Sequence, residues 1–216
     1  MVYKIGDKLP ISTNVRMDGS EVEINDTLVI TFFDRKSSSI FTCGHCLPVS
    51  AHIKDIKSTI IYTSGYDNPT DGLEIARVKV WNTMMFSDYI DGLRATRAKN
   101  ISEDVELVLR CADVTINGYI IGSCNSQDDT FVYRGAMCKF KYKIPRIQFP
   151  FYVVAPTSFD GKMRTMHGFS GAPWIECSLS ERLVYGPHVA RVNIIDVNDS
   201  SVDYEVSLLV PISRFY

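Results

Sequence analysis

Short runs of alternating or β-branched residues, each closed by turn formers, recur about every ten residues along this chain. The first half carries EVEI at 21–24, LVITFF at 28–33, STIIYT at 58–63 and EIARVKV at 74–80. The second carries VTINGYII at 114–121, TFVYRG at 130–135, FPFYVVA at 149–155, LVYG at 183–186, HVARVNII at 188–195 and YEVSLLVPI at 204–212. No sustained helical period comes between them. This excludes bundles and alternating β/α architectures and predicts an all-β barrel or sandwich. The least strand-like piece, 81–104, is expected to hold a helical turn followed by a linker. A boundary near 105 then divides the chain into halves, 1–105 and 106–216, of about six strands each.

Composition narrows the function classes. With 216 residues the chain buries a substantial core. Its 23 basic and 25 acidic residues leave a net charge of −2, so no global field recruits nucleic acid or an anionic membrane. The longest apolar run, TLVITFF at 27–33, is far too short to cross a bilayer, and the opening MVYKIGDKLPIST lacks the apolar core of a secretion signal. A cytoplasmic protein, not exported by its own signal, is expected. Six cysteines (Cys43, Cys46, Cys111, Cys124, Cys138, Cys177) follow no framework spacing, which fits free thiols better than disulfides.

The densest chemical motif is GFSGAP at 168–173, with Ser170 held between Gly168 and Gly171 and followed by Pro173. A hydroxyl at the tip of a tight turn suits a nucleophile, because the backbone N–H groups around it can receive the charge that develops on an attacked carbonyl. His45 lies on a short turn after an apolar strand, where its ring can serve as general base. Glu74 opens the strand EIARVKV and is placed to accept the Nδ1 proton of a histidine. Asp71, three residues earlier, is the alternative acid, and Asp55 a distant third.

Three of these segments resemble the motifs of chymotrypsin-like proteases. TCGHC at 42–46 resembles TAAHC around the catalytic histidine, EIARVKV resembles DIALLKL with glutamate for aspartate, and GFSGAPW resembles GDSGGP. The resemblance covers the whole chain in order. It implies two six-stranded antiparallel barrels with the active site in the groove between them. His45 would be the base, Glu74 the orienting acid and Ser170 the nucleophile, with the N–H groups of Gly168 and Ser170 as oxyanion hole. Phe169 stands where trypsin-type enzymes carry the aspartate that pairs with a freed α-amino group, so a site formed without zymogen cleavage is expected. Glutamate as third member, no signal sequence and unpaired cysteines are similar to the polyprotein-processing proteases of positive-strand RNA viruses, which act in the host cytoplasm. Among those, a serine nucleophile is similar to the sobemovirus-like and astrovirus-like branches.

The same resemblance implies the specificity pocket. GPHVAR at 186–191 resembles the GxHVxG strand of the viral enzymes, whose histidine lines the pocket, and Thr165 matches their pocket threonine. A hydroxyl and an imidazole N–H converging on a side-chain carbonyl would select glutamine or glutamate at P1, with Arg164 and Arg191 tilting the choice towards glutamate. The backbone of Val189, Ala190 and Arg191 would take the substrate as an added strand.

Two other readings compete. CGHC at 43–46 is also a disulfide-isomerase motif, but Pro48 interrupts the helix that it requires. As a metal site the motif is expected to fail, because neighbouring His45 should not reach the same ion as both thiolates without strain, so neither metal nor cofactor is expected. A protease fold that has lost activity and binds protein or RNA is the second alternative, with Arg94, Arg97 and Lys99 as the basic cluster. The complete set of histidine, acid and serine argues for the enzyme.

Overall fold

A computed structural model describes residues 1–63, 74–144 and 150–215. The chain is almost entirely strand. The first part carries β1 (Lys8–Met17), β2 (Ser20–Val29), β3 (Phe32–Asp34), β4 (Ser39–Cys43), β5 (Ala51–Ile53), β6 (Ser58–Thr63) and β7 (Ile75–Val80). Two short strands follow, β8 (Tyr89–Ile90) and β9 (Leu93–Arg97). The remainder comprises β10 (Glu106–Cys111), β11 (Val114–Cys124), β12 (Thr130–Tyr133), β13 (Ala136–Phe140), β14 (Phe151–Pro156), β15 (Pro173–Cys177), β16 (Arg182–Asp196) and β17 (Asp203–Leu209).

β1 and β2 form a ten-pair hairpin from Lys8↔Val29 to Met17↔Ser20. Asp18 and Gly19 close it with φ of 50° and 83°, the two consecutive left-handed residues that match the twist of a hairpin. β2 is exposed from Ser20 to Thr27 and buried only at Leu28 and Val29, so the hairpin projects from the body. β1 also pairs with β5, and β3, β4, β7 and β6 form a second antiparallel sheet. Between these sheets lie Leu9, Ile11, Leu28, Ile30, Phe33, Ile40, Leu47 and Val78. Each such side chain stabilises the fold by about 1.5–3 kcal/mol.

In the second half, β16, β15, β10, β11, β14 and β17 are hydrogen-bonded in that order, and β17 pairs back onto β16. This closes a six-stranded antiparallel ring, the strand number read from the sequence. The β12–β13 hairpin extends from it through the end of β16. A third apolar cluster joins the halves, with Phe32, Phe41, Cys43 and Ile75 packed among Ile175, Val184, Val210 and Ile212.

The sequence expectation needs correction at 81–104. A 3₁₀ turn at Thr83–Met85 is followed by two strands where a linker was expected, and β9 pairs in parallel with β16. Alternate positions of this piece, Phe86, Asp88 and Ile90, are buried despite its polar composition. LVYG and HVARVNII also prove to be one strand. β16 continues through Gly186 and Pro187, and position 186 must be glycine because a side chain there would overlap the Val210 carbonyl.

Candidate active site

β4 ends at Cys43 and the chain turns at once into the 3₁₀ segment Gly44–Cys46, which swings His45 towards the groove between the halves. Glu74, immediately before β7, lies beside that turn because β4 and β7 pair from Ser39↔Lys79 to Cys43↔Ile75. Its Oε2 accepts from His45 Nδ1 at 2.8 Å and from the His45 backbone N–H at 3.2 Å. Glu74 is only 6% exposed, so this contact is made in a medium that strengthens it. Asp71, the alternative acid, lies outside the described residues. Asp55 is exposed in the turn after β5, with φ 57°.

Ser170 comes to the same groove from the other half. His45, Cys46, Gly168 and Ser170 line one cavity of about 300 Å³, whose opposite wall is the projecting hairpin through Thr13, Val15 and Ile24. Gly168 and Gly171 bracket the serine with φ of 88° and 91°. The turn is tied inward by Phe169 N–H to Met166 O at 3.1 Å, Ala172 N–H to Phe169 O at 2.9 Å and Gly171 N–H to His188 O at 2.8 Å. Among the described residues the N–H groups of Gly168 and Ser170 donate to nothing, which leaves two free donors flanking the hydroxyl. Thr31 fixes the turn against the first half by donating Oγ1–H to Gly171 O at 2.6 Å. Ser170 Oγ makes no hydrogen bond to His45 among the described residues; the Cys46 thiol stands beside both. A hydrogen bond from Cys43, against the opposing effect of burial, and then His45 and Ser170 pull the Cys46 thiol down to about 5. Burial disfavours the His45 imidazolium, but hydrogen bonds with Cys46 and Glu74 outweigh it and raise the ring to about 10.

The pocket residues form a second constellation. His188 lies on β16, is 4% exposed, and is pulled down to about 3 by burial and then by the charges of His45 and Arg191, so it is neutral in ordinary buffers. Ser207 on β17 sets its tautomer. The Trp174 indole N–H, which can only donate, gives to Ser207 Oγ at 2.9 Å. The hydroxyl proton then goes to His188 Nδ1 at 2.7 Å, much nearer than Leu208 O at 3.5 Å. Nε2 of His188 therefore carries the ring proton. Thr165 is buried and its Oγ1 makes no hydrogen bond among the described residues.

The two arginines expected to favour glutamate are otherwise engaged. Arg164 pairs with Asp160 at 2.6 Å, and Arg191 donates to Thr165 O at 2.9 Å and Met163 O at 3.4 Å. Among the described residues, Val189, Ala190 and Arg191 lie where one side of β16 has no paired strand. β17 pairs along one side of β16, while on the other side β15 stops at Pro187 and β13 begins at Ile194. A groove of about 350 Å³ runs along that gap between Ala190–Asn193 of the strand and Tyr142, Lys143 and Ile144. In the basic cluster, Arg94 is paired with Asp88 at 3.2 Å, and Arg94, Arg97 and Lys99 line one depression with Lys36.

Sequence reasoning also missed three features. Ser207 was hidden inside an apolar run, where a lone serine at an inward position was the available signal. The hairpin wall had no chemical signature. The third is an outright correction: Cys43, His45 and Cys46 do converge, each placing a donor atom within 4.8 Å of the others, because the 3₁₀ turn folds the chain back on itself.

No family model matches the sequence, and no curated relative matches it either. Among solved structures the chain is similar to Thermobifida fusca Protease A, at 13% identity over 98% of this chain and 94% of that one, with a TM-score of 0.51. It is similar to the chymotrypsin of Cellulomonas bogoriensis at 12% identity over 87% and 85%, with a TM-score of 0.50. The murine norovirus NS6 protease also matches, at 10% identity over 86% and 87% and a TM-score of 0.44. Identities this low speak to the fold alone. With predominantly antiparallel sheets and a closed ring in the second half, the chain has the chymotrypsin-like double-barrel fold of serine proteases.

Proposed function

We propose that this protein is a serine endopeptidase that cuts extended peptides after glutamine, and that its substrates are the junctions of a viral polyprotein. The observation that carries the reading is the 2.8 Å contact between His45 Nδ1 and buried Glu74, made at the wall of the cavity that also holds Ser170 and two undonated backbone amides. In the reaction the deprotonated form of His45 takes the proton of Ser170 as its Oγ attacks the carbonyl. Glu74 steadies the imidazolium, and the N–H groups of Gly168 and Ser170 receive the oxyanion. The amine leaves with the proton held by His45, and water activated by the same ring releases the acyl group. Neutral His188 with its proton on Nε2, together with the unsatisfied Thr165 hydroxyl, supports a P1 side chain that offers a carbonyl. With Arg164 and Arg191 committed elsewhere, glutamine suits this pocket better than glutamate. The open edge at Val189 to Arg191 supports strand addition by the residues before the scissile bond. The viral reading rests on the Glu74, Phe169 and GPHVAR pattern and on six free cysteines, which fit a reducing compartment.

The test is a fluorogenic peptide library varied at P1, run on wild type and Ser170→Ala with and without a chelator. Ser170-dependent cleavage after glutamine is expected. Cleavage after other residues would overturn the pocket and spare the triad. Silence across the library would overturn the peptidase reading.

A further inference from the structure

Acyl transfer makes no use of the two thiols that flank the base. Cys43 is fully buried at the end of β4, while Cys46 is half-buried at the cavity wall. Together with His45 they are the one group of three metal-ligating donors within 4.8 Å of one another among the described residues. Cys43 Sγ lies 3.1 Å from Nδ1 and 3.9 Å from Nε2 of His45. A tetrahedral zinc ion, with Zn–S near 2.3 Å and Zn–N near 2.0–2.1 Å, sets its S···N edges at about 3.5 Å and its S···S edge at about 3.8 Å. The Nδ1 distance is about 0.4 Å short of that S···N edge and the Nε2 distance about 0.4 Å long, so coordination through either nitrogen requires the side chains to rotate. Thiolate and imidazole donors select zinc over magnesium or calcium. The cavity beside Cys46 provides an entry path and room for a water as fourth ligand.

We propose that Cys43, His45 and Cys46 form a binding site for a thiophilic divalent cation, zinc above all, and that occupation of the site switches the peptidase off. The binding half stands on the cluster alone; the switching half rests on the peptidase reading. The metal takes two thiolates and a neutral imidazole, so the protons still held by Cys43 and by the His45–Cys46 pair pass to solvent as the ion binds, and no electron is transferred. An ion on His45 Nδ1 displaces Glu74, and an ion on Nε2 occupies the nitrogen that must accept the serine proton. In either case the ring cannot hold the metal and serve Ser170 at once.

Cobalt(II) titration of the full chain, reduced with a phosphine that does not chelate, tests the site. One equivalent of cobalt should produce a thiolate-to-cobalt charge-transfer band and tetrahedral visible absorption, and one equivalent of zinc should bleach both. Cys46→Ser, checked for folding by circular dichroism, should lose at least tenfold in affinity. Ser170→Ala and Cys177→Ser, the latter at an exposed cysteine, should titrate as wild type does. A purely octahedral spectrum, or a band that survives in Cys46→Ser or vanishes in Cys177→Ser, would overturn the site. For the switch, zinc-loaded protein should lose most of its turnover and a chelator should restore it. Full turnover at saturating zinc would overturn the switch and leave the peptidase reading intact. A protein without peptidase activity but with the cobalt band would overturn that reading and leave the metal site standing.

Discussion

Ser207→Ala tests the tautomer argument behind the specificity pocket. The serine is fully buried and joins two buried groups, accepting from the Trp174 indole at 2.9 Å and donating to His188 Nδ1 at 2.7 Å. Alanine removes both partners at once and leaves a donor and an acceptor stranded among Leu208, Leu209 and the strands of the closed ring. Each orphaned polar group costs about 1–3 kcal/mol, so the loss should be about 2–6 kcal/mol. For a chain of this length that lowers the melting temperature by roughly 4–24 °C. Scanning calorimetry at neutral pH gives the first number, and the KM for a P1-glutamine peptide gives the second. KM should rise, because the imidazole is no longer held in the tautomer that presents a proton on Nε2. A variant within about 1 kcal/mol of wild type and with unchanged KM would refute the three-membered chain and, with it, the assignment of the ring proton.

Glu74→Gln should lower kcat by about 10²- to 10⁴-fold at nearly constant KM, since the amide no longer stabilises the imidazolium, and a loss below threefold in steady-state assays would remove Glu74 from the triad. Cys46→Ala should move the rising limb of the kcat/KM profile to lower pH: the base must be deprotonated to act, and Cys46 is one of the partners that raise His45 to about 10. An unmoved limb would show that the thiol does not tune the ring. Gly171→Ala should destabilise by about 2–5 kcal/mol, because alanine at φ 91° is strained and its Cβ would lie 2.8 Å from Thr42 Oγ1 and 3.0 Å from Val29 O; denaturant unfolding measures this directly.

What could be read from the sequence was local, and what could not depended on distant chain coming together. The strands were legible because alternation is written into consecutive residues, and His45, Glu74 and Ser170 stood out as candidates because each lies in a turn or junction beside such a strand. The hairpin β1–β2 was harder, since most of β2 is exposed and carries no buried face to alternate against. Its local signs were the alternating EVEI at 21–24 and the closing pair Asp18-Gly19. Ser207 could not be assigned a partner without knowing that β16 and β17 pair at Arg191↔Ser207. The convergence of Cys43, His45 and Cys46 was hidden for the opposite reason: it rests on a local 3₁₀ turn, which brings residues three apart to one side.

β16 accumulates obligations that elsewhere are spread over several strands. Its first third pairs with β15 and β9, its middle pairs with β17 while leaving one edge bare, and its end receives β13. His188 lies at the joint between the first two stretches. A slip of one residue would reverse every side chain on the strand, exchanging the pocket histidine for Val189 while unlatching the ring. Under the proposed function, substrate choice and mechanical integrity are therefore heritable together along this strand. Drift in what the protein accepts must come through side chains at fixed register, at Thr165, Ala190 or Ser207, and not through insertion or deletion anywhere between Arg182 and Asp196.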